Sequence, residues 1–188
     1  PIQRAIMNLE TETGISFMKI NENLDTGPVL KTYKIKIDLN LNATDLEEKL
    51  SQLAALKIIE NIDSIISGKA NFKEQDHSKA TYAEKINKEE GKIVGNDSAK
   101  KIIGKINGLH PNPGAYFIFK GDRYKILKAE IGNGTGPSGK VLNDKLEIAC
   151  SNNESIKVIE IQKEGKKIQE INEFLNGSKI SKGCILNE

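Results

Sequence analysis

Apolar residues recur along this chain first at a spacing of two, then at helical spacing, then at two again. Pro1-Ile-Gln-Arg-Ala-Ile reads as the opening turn of a helix, because proline is comfortable where its missing N–H would have no partner anyway. Residues 14–20 and 29–37 read as strands, with Val29, Tyr33, Ile35 and Ile37 on one side of a two-residue period. Residues 21–28 between them are turn-rich. Thr44 with Glu47 three residues later makes a capping box that opens the clearest helix. Leu46, Leu50, Leu53, Ile58, Ile62, Ile65 and Ile66 fall near one stripe of it, and Gly68 supplies the stop. Strand, strand, long helix is an α/β fragment, too small to cover its own sheet.

Residues 69–87 are polar, lack a sustained period and read as a linker. Beyond them, Asp97 or Ser98 caps a short helix carrying Ile102, Ile103 and Ile106. Strand-like runs follow at 115–119, 123–131, 140–142, 146–150 and 155–162, with Gly121-Asp122 and Asn143-Asp144 as tight turns. A last short helix, 168–175, ends at Gly177. Short strands with evenly spaced turns predict a small antiparallel barrel of the oligonucleotide-binding (OB) type.

Composition narrows the classes. With 188 residues, 37% hydrophobic and 29% charged, the chain has room for one domain or two small ones and is too apolar for wholesale disorder. No apolar run reaches membrane-spanning length, no leader pattern opens the chain, and Cys150 and Cys184 with His77 and His110 complete no zinc site. The expectation is a cytoplasmic protein without metal or membrane. A chain that begins inside a helix, without an initiator methionine, looks like part of something longer. Residues 1–68 carry 7 Lys/Arg against 10 Asp/Glu, whereas residues 69–188 carry 21 against 16. The second region is therefore mildly basic, which suits a polyanionic partner as well as a solvated lysine-rich surface.

Three local motifs fail when read alone. Leu24-Asp25-Thr26-Gly27 matches the aspartic-protease signature, but that chemistry needs a second copy and none is present. Gly134-Thr-Gly136-Pro-Ser-Gly139 has dinucleotide-fingerprint spacing, yet a strand rather than a helix follows, so a flexible loop is expected. Asn-x-Ser/Thr at Asn42, Asn96, Asn133, Asn153 and Asn176 reflects asparagine content. Tyr116, Phe117, Phe119 and Tyr124 lie among Lys120, Arg123, Lys125 and Lys128. Such a hairpin either stacks and neutralises nucleic acid or supplies barrel core.

Taken in order, the motifs become specific. Pro1-Ile-Gln-Arg-Ala-Ile, Glu12-Thr-Gly14 and Leu24-Asp25-Thr-Gly-Pro28 resemble the second half of the catalytic domain of the folate-dependent formyltransferases. Thr81-Tyr-Ala-Glu-Lys85-Ile, Lys88-Glu-Glu90 and Pro111-Asn-Pro-Gly114 are similar to the linker and C-terminal domain of the methionyl-tRNA formyltransferase branch. Ile148-Ala-Cys150, Gln162-Lys-Glu-Gly165-Lys-Lys and Phe174-Leu-Asn-Gly177 continue the likeness to the end. Val94-Gly95 stands where that family has an acidic-aromatic pair, and Asn112 where it has an aromatic.

The resemblance implies an α/β remnant of a catalytic domain over 1–68, a linker over 69–87 and an OB-like tRNA-binding β-barrel domain over 88–188. It implies transfer of a formyl group from 10-formyltetrahydrofolate to methionyl-initiator-tRNA by a monomer, with no metal. Asp25 matches the catalytic aspartate, and Asn23, Leu24, Thr26 and Gly27 would shape the folate edge. Gly27 fits a turn that needs positive φ or close approach to the pterin. Lys85, Lys88, Lys92, Lys163, Lys166 and Lys167 are the phosphate-contact candidates. The family's catalytic Asn and His and its Ser-Leu-Leu-Pro stretch precede the position of Pro1, so this polypeptide alone is expected to be inactive. A related folate-dependent formyltransferase or hydrolase, or a nucleic-acid-binding barrel fragment, remain the alternatives.

Overall fold

The computed structural model describes residues 1–93 and 95–187; Val94, named above, lies outside them. The first helix, α1 (Ile2–Met7), starts from Pro1 and buries Ala5 and Ile6. It is followed by β1 (Glu12–Met18) and β2 (Val29–Lys36), an antiparallel pair with Gly14 opposite Lys34 and Ser16 opposite Thr32. The inward side of β2 is the one its period marks: Tyr33 and Ile35 are half-buried while Thr32, Lys34 and Lys36 are exposed.

Helix α2 (Ala43–Ile66) covers this pair, with a correction to its start. The cap is Asn42, whose Oδ1 accepts from the Asp45 amide at 2.9 Å, and not Thr44. Thr44 Oγ1 lies 3.5 Å from His110 Nδ1 instead. A second correction concerns the stripe. Ile6, Leu41, Ala43, Leu46 and Leu50 form a small core with Ile2, Ile15, Ile35 and Ile37. Further along α2, Leu53, Ile58 and Ile65 are half-buried, while Ile62 and Ile66 are exposed, because two strands offer too little surface for a helix of 24 residues.

The second region is built on α3 (Ala99–Gly108) and a curled antiparallel sheet. Ser98 caps α3, and Glu154 Oε2 accepts from the Ala99 amide at 2.7 Å. The strands are β3 (Ala115–Phe119), β4 (Asp122–Ile131), β5 (Glu147–Ala149), β6 (Ser155–Lys163) and β7 (Gln169–Glu170). They pair in the order β3-β4-β6-β5, with β7 also on β6. β7 and the five-residue α4 (Ile171–Leu175) replace the single helix read over 168–175. Positive φ at Lys120 and Gly121 puts the β3–β4 turn one residue earlier than Gly121-Asp122. Residues 140–142 make only bridges, Val141 to Ile148 and Lys140 to Ile185. Beyond them the tail reaches back to the first strand: Leu186 N donates to Gly139 O at 3.0 Å and Asn187 N to Ile118 O at 2.7 Å. The core under this sheet contains Ile102, Ile103, Ile106, Phe117, Ile126, Ile156 and Ile161.

The glycine-spaced loop is tied down rather than loose. The Glu147 carboxylate accepts from the amides of Asn133 (2.9 Å) and Gly134 (2.7 Å), from Ser155 Oγ (2.7 Å) and from Asn143 Nδ2 (2.7 Å). Burial pushes its pKa up, but those four donors outweigh burial and hold it below the usual value.

Two glycines join the regions. A Cβ on Gly104 would stand 2.7 Å from Leu9 Cδ2, and one on Gly108 would stand 2.6 Å from Met7 Cγ and 2.9 Å from Gln3 O. Only glycine lets α3 press this closely against α1. Asn107 Nδ2 adds a 2.7 Å bond to Leu39 O.

Candidate functional site

Residues 19–28 form the loop between β1 and β2, and its neck is closed by Lys19 N donating to Pro28 O at 3.0 Å. Inside it, Asn21 Oδ1 accepts from the Asn23 amide at 3.1 Å and from Thr26 Oγ1 at 2.9 Å. Asparagine and threonine do this because their short side chains mimic a further peptide group. Asp25 takes a φ of 55°, a left-handed conformation that asparagine and aspartate tolerate better than most residues. Its side chain is exposed, as are Asn23 and Leu24, while Thr26 is half-buried and Gly27 buried.

Gly27 has its reason in close approach, not in φ. A Cβ there would lie 1.8 Å from Lys19 O, so the neck of the loop closes only on glycine. The positive φ expected of Gly27 belongs to Asp25.

Residues 72–75 strap this loop in place. Val29 and Lys73 exchange two main-chain bonds of 2.8 and 2.9 Å, and Lys19 Nζ lies 4.6 Å from the centre of the Phe72 ring. Gln75 Nε2 then donates to Asp25 O at 2.9 Å and to Gly27 O at 2.7 Å, one from each amide hydrogen. Sequence reading missed Gln75: it lies in a stretch without period, 50 residues from its partner, and no local pattern marks it. The Asp25 carboxylate is thus presented on a loop held at its neck, its interior and its two peptide carbonyls. A carboxylate so held can accept or return a proton at a bound group. Among the described residues no cluster of three or more His, Cys, Asp or Glu converges as a metal site.

The six lysines read as phosphate contacts differ in their surroundings. Lys163 Nζ is 2.5 Å from Asp122 Oδ2, and that bond, foremost, raises its pKa. Lys92 is exposed, and its main-chain oxygen accepts from Lys105 Nζ. Lys85 and Lys88 are exposed before and within the 3-10 turn Lys88–Gly91, and Lys166 and Lys167 are exposed on the turn after β6. The aromatic-basic hairpin divides: Phe117, Phe119 and Tyr124 are core, whereas Tyr116 stays half-buried on the outer face beside Arg123 and Lys125.

Comparison with known proteins now bears on this architecture. The model of the formyl transferase family matches residues 1–62, and that of the formyl transferase C-terminal domain matches residues 85–179. A methionyl-tRNA formyltransferase of Pelagibacter ubique is 62% identical over 97% of this chain and 59% of its own length. One of Thermodesulfovibrio yellowstonii is 41% identical with the same coverage. The chain thus spans about three fifths of the length of these curated relatives. HypX from Aquifex aeolicus shares the fold with a TM-score of 0.73 at 17% identity, over 95% of this chain and 33% of that one. The methionyl-tRNA formyltransferase from Clostridium thermocellum does so with a TM-score of 0.54 at 22% identity, over 71% and 57%. Both family models and the residue-level identity lead to one statement: the chain belongs to the formyl transferase family.

Proposed function

We propose that this chain is the C-terminal portion of a methionyl-tRNA formyltransferase, moving a formyl group from 10-formyltetrahydrofolate to the amino group of methionyl-initiator-tRNA. The observation that carries the reading is the 62% identity to a protein of that name over nearly the whole chain. A solved HypX structure that shares the fold (TM-score 0.70) is a complex with tetrahydrofolic acid, which supports a folate as the formyl donor. Residues 1–68 are then catalytic, 69–87 the linker and 88–188 an OB-like barrel that holds tRNA. The hydrogen bonds that carry the tail from Gly139 to Ile118 support the barrel reading, since they run from one edge of the curled sheet to the other.

Asp25 is the catalytic carboxylate in this reading. The amine attacks the formyl carbon, an oxyanion develops, and the proton lost by the amine is passed to the leaving nitrogen. Asp25 serves that proton movement from its exposed loop, and Asn23, Leu24, Thr26 and Gly27 form the edge against which the folate lies. Among the described residues no helix is long and apolar enough to cross a membrane; bacterial translation takes place in the cytoplasm, the location this reading assigns.

The test joins the chain behind the N-terminal portion of a methionyl-tRNA formyltransferase and measures formylation of methionyl-initiator-tRNA. The joined enzyme should be active and the 188 residues alone inactive. Asp25→Asn should remove most turnover and leave tRNA affinity nearly unchanged. Near-normal turnover in Asp25→Asn would make the loop structural only.

A further inference from the structure

The outer face of the β3–β4 hairpin opens into a cleft of about 680 Å3, lined among others by Lys88, Asn112, Arg123, Lys125, Gln162 and Glu164. Arg123 and Lys125 are two apart on β4 and so project to the same face. Lys125 stands opposite Tyr116 on one side and Gln162 on the other. Three cations here face one carboxylate.

Arg123 is one of only two arginines in the chain. The other, Arg4, is already committed: both terminal nitrogens meet Glu90, and further bonds run to main-chain oxygens of Glu84 and Lys85. Arg123 is the opposite case. Its guanidinium carbon lies 3.6 Å from the centre of the Tyr116 ring, a cation–π contact that holds the plane still. Among the described residues it forms no ion pair, and its Nε is buried without a hydrogen-bond partner. A buried donor without an acceptor costs free energy, so the surroundings of Arg123 supply its Nε with no acceptor of their own. A rigid guanidinium fork matches phosphate oxygens two at a time, which a lysine cannot do. Lys125, on the same face of β4, makes among the described residues only a long 3.5 Å contact, to Asn112 Oδ1.

We propose that this cleft is a subsite for a backbone phosphate of RNA, with Arg123 as the two-pronged donor and Lys125 and Lys88 beside it. The occupant follows from the surroundings. The cleft lies on the basic region of the chain, next to the exposed Lys166 and Lys167. No glycine-rich loop leading into a helix N-terminus lines it, as a free nucleotide's phosphates would favour. This subsite deepens the RNA-binding reading of residues 88–188 and rests on it.

The test is fluorescence anisotropy of a labelled initiator-tRNA transcript with the 188-residue chain across about 50 to 200 mM KCl. The wild-type chain should bind with affinity that falls steeply with salt. Arg123→Gln should weaken binding about tenfold and lower the salt slope by about one. Lys125→Gln should act in the same direction by about threefold, and Arg123→Lys should keep the slope but lose affinity. Lys145→Gln, an exposed charge away from the cleft, is the matched control and should stay within about twofold. Far-UV circular dichroism and thermal melts of each variant establish that it is folded. If Arg123→Gln and Lys125→Gln both behave like Lys145→Gln while the wild type binds, the subsite is overturned and RNA binding stands. A wild-type chain that binds no tRNA overturns both. Inorganic pyrophosphate that binds as tightly as tRNA, and depends on Arg123, would make this a small-anion site and overturn the RNA occupant.

Discussion

Arg4 and Glu90, 86 residues apart, form a two-pronged ion pair, Nη1 to Oε2 at 2.5 Å and Nη2 to Oε1 at 3.1 Å. It ties α1 to the short 3-10 turn Lys88–Gly91, where Glu90 Oε1 also accepts from the Asn87 amide at 2.8 Å. The Arg4 bond first, then the Asn87 amide, hold the Glu90 carboxyl at about 2, from a usual 4.5. A depressed carboxylate pKa adds stability that is complete above the unfolded value and lost as pH falls through the folded one. Between about pH 4.5 and 2 the clasp between the regions should therefore weaken. Limited proteolysis over residues 69–87 should accelerate in that window. In Glu90→Gln the cleavage should already be fast at pH 7 and lose its contribution from this carboxylate; unchanged acid sensitivity would assign it elsewhere.

Gln75 is a positioning residue for the Asp25 loop, since its side chain touches the loop only through the carbonyls of Asp25 and Gly27. Gln75→Leu removes both donors and should cost about 1–2 kcal/mol of stability. In the joined enzyme, kcat should drop by about tenfold or more even at temperatures far below the melt, as expected when a catalytic group is slightly misplaced. Affinity for tRNA should hold. A variant that melts earlier but turns over normally in the cold would leave Gln75 a purely structural strap.

Gly27→Ala should be among the most damaging single methyl additions, because the new Cβ falls 1.8 Å from the Lys19 carbonyl. The neck must open, at a cost of about 3 kcal/mol or more. Gly177→Ala, where nothing stands within 4 Å of the added carbon, should stay within about 0.5 kcal/mol. Paired denaturant titrations compare them directly.

The start of α2 offers a clean contrast. Asn42→Ala removes the side chain that caps the helix and should destabilise by about 1 kcal/mol. Thr44→Ala removes a hydroxyl that makes no cap and should cost less than about 0.5 kcal/mol. The reverse order would restore Thr44 as the cap.

Much of the architecture follows from local chemistry. The apolar period of β2, the glycine stop of α2 at Gly68 and the bounds of β3 depend on neighbours a few residues away, so they are written in the chain where they occur. The loop of Asp25 is legible for the same reason, as a cluster of turn-forming residues between two strands. What escapes a linear reading is every feature with a distant partner. Asn42 and Thr44 are both capping residues by type, and the path of the chain into the helix selects Asn42. Ile62 and Ile66 of the α2 stripe are exposed because burial depends on how much surface the facing strands offer, which periodicity does not count. Gln75 becomes meaningful only when residues 72–75 fold across the loop, and Gly104 and Gly108 only when α1 lies against them. Arg123 and Arg4 are the same side chain, yet one is neutralised by Glu90 while the other stacks on Tyr116 and stays open to an anion. A side chain's charge belongs to its sequence; whether that charge is already satisfied depends on what the fold brings within hydrogen-bonding distance of it.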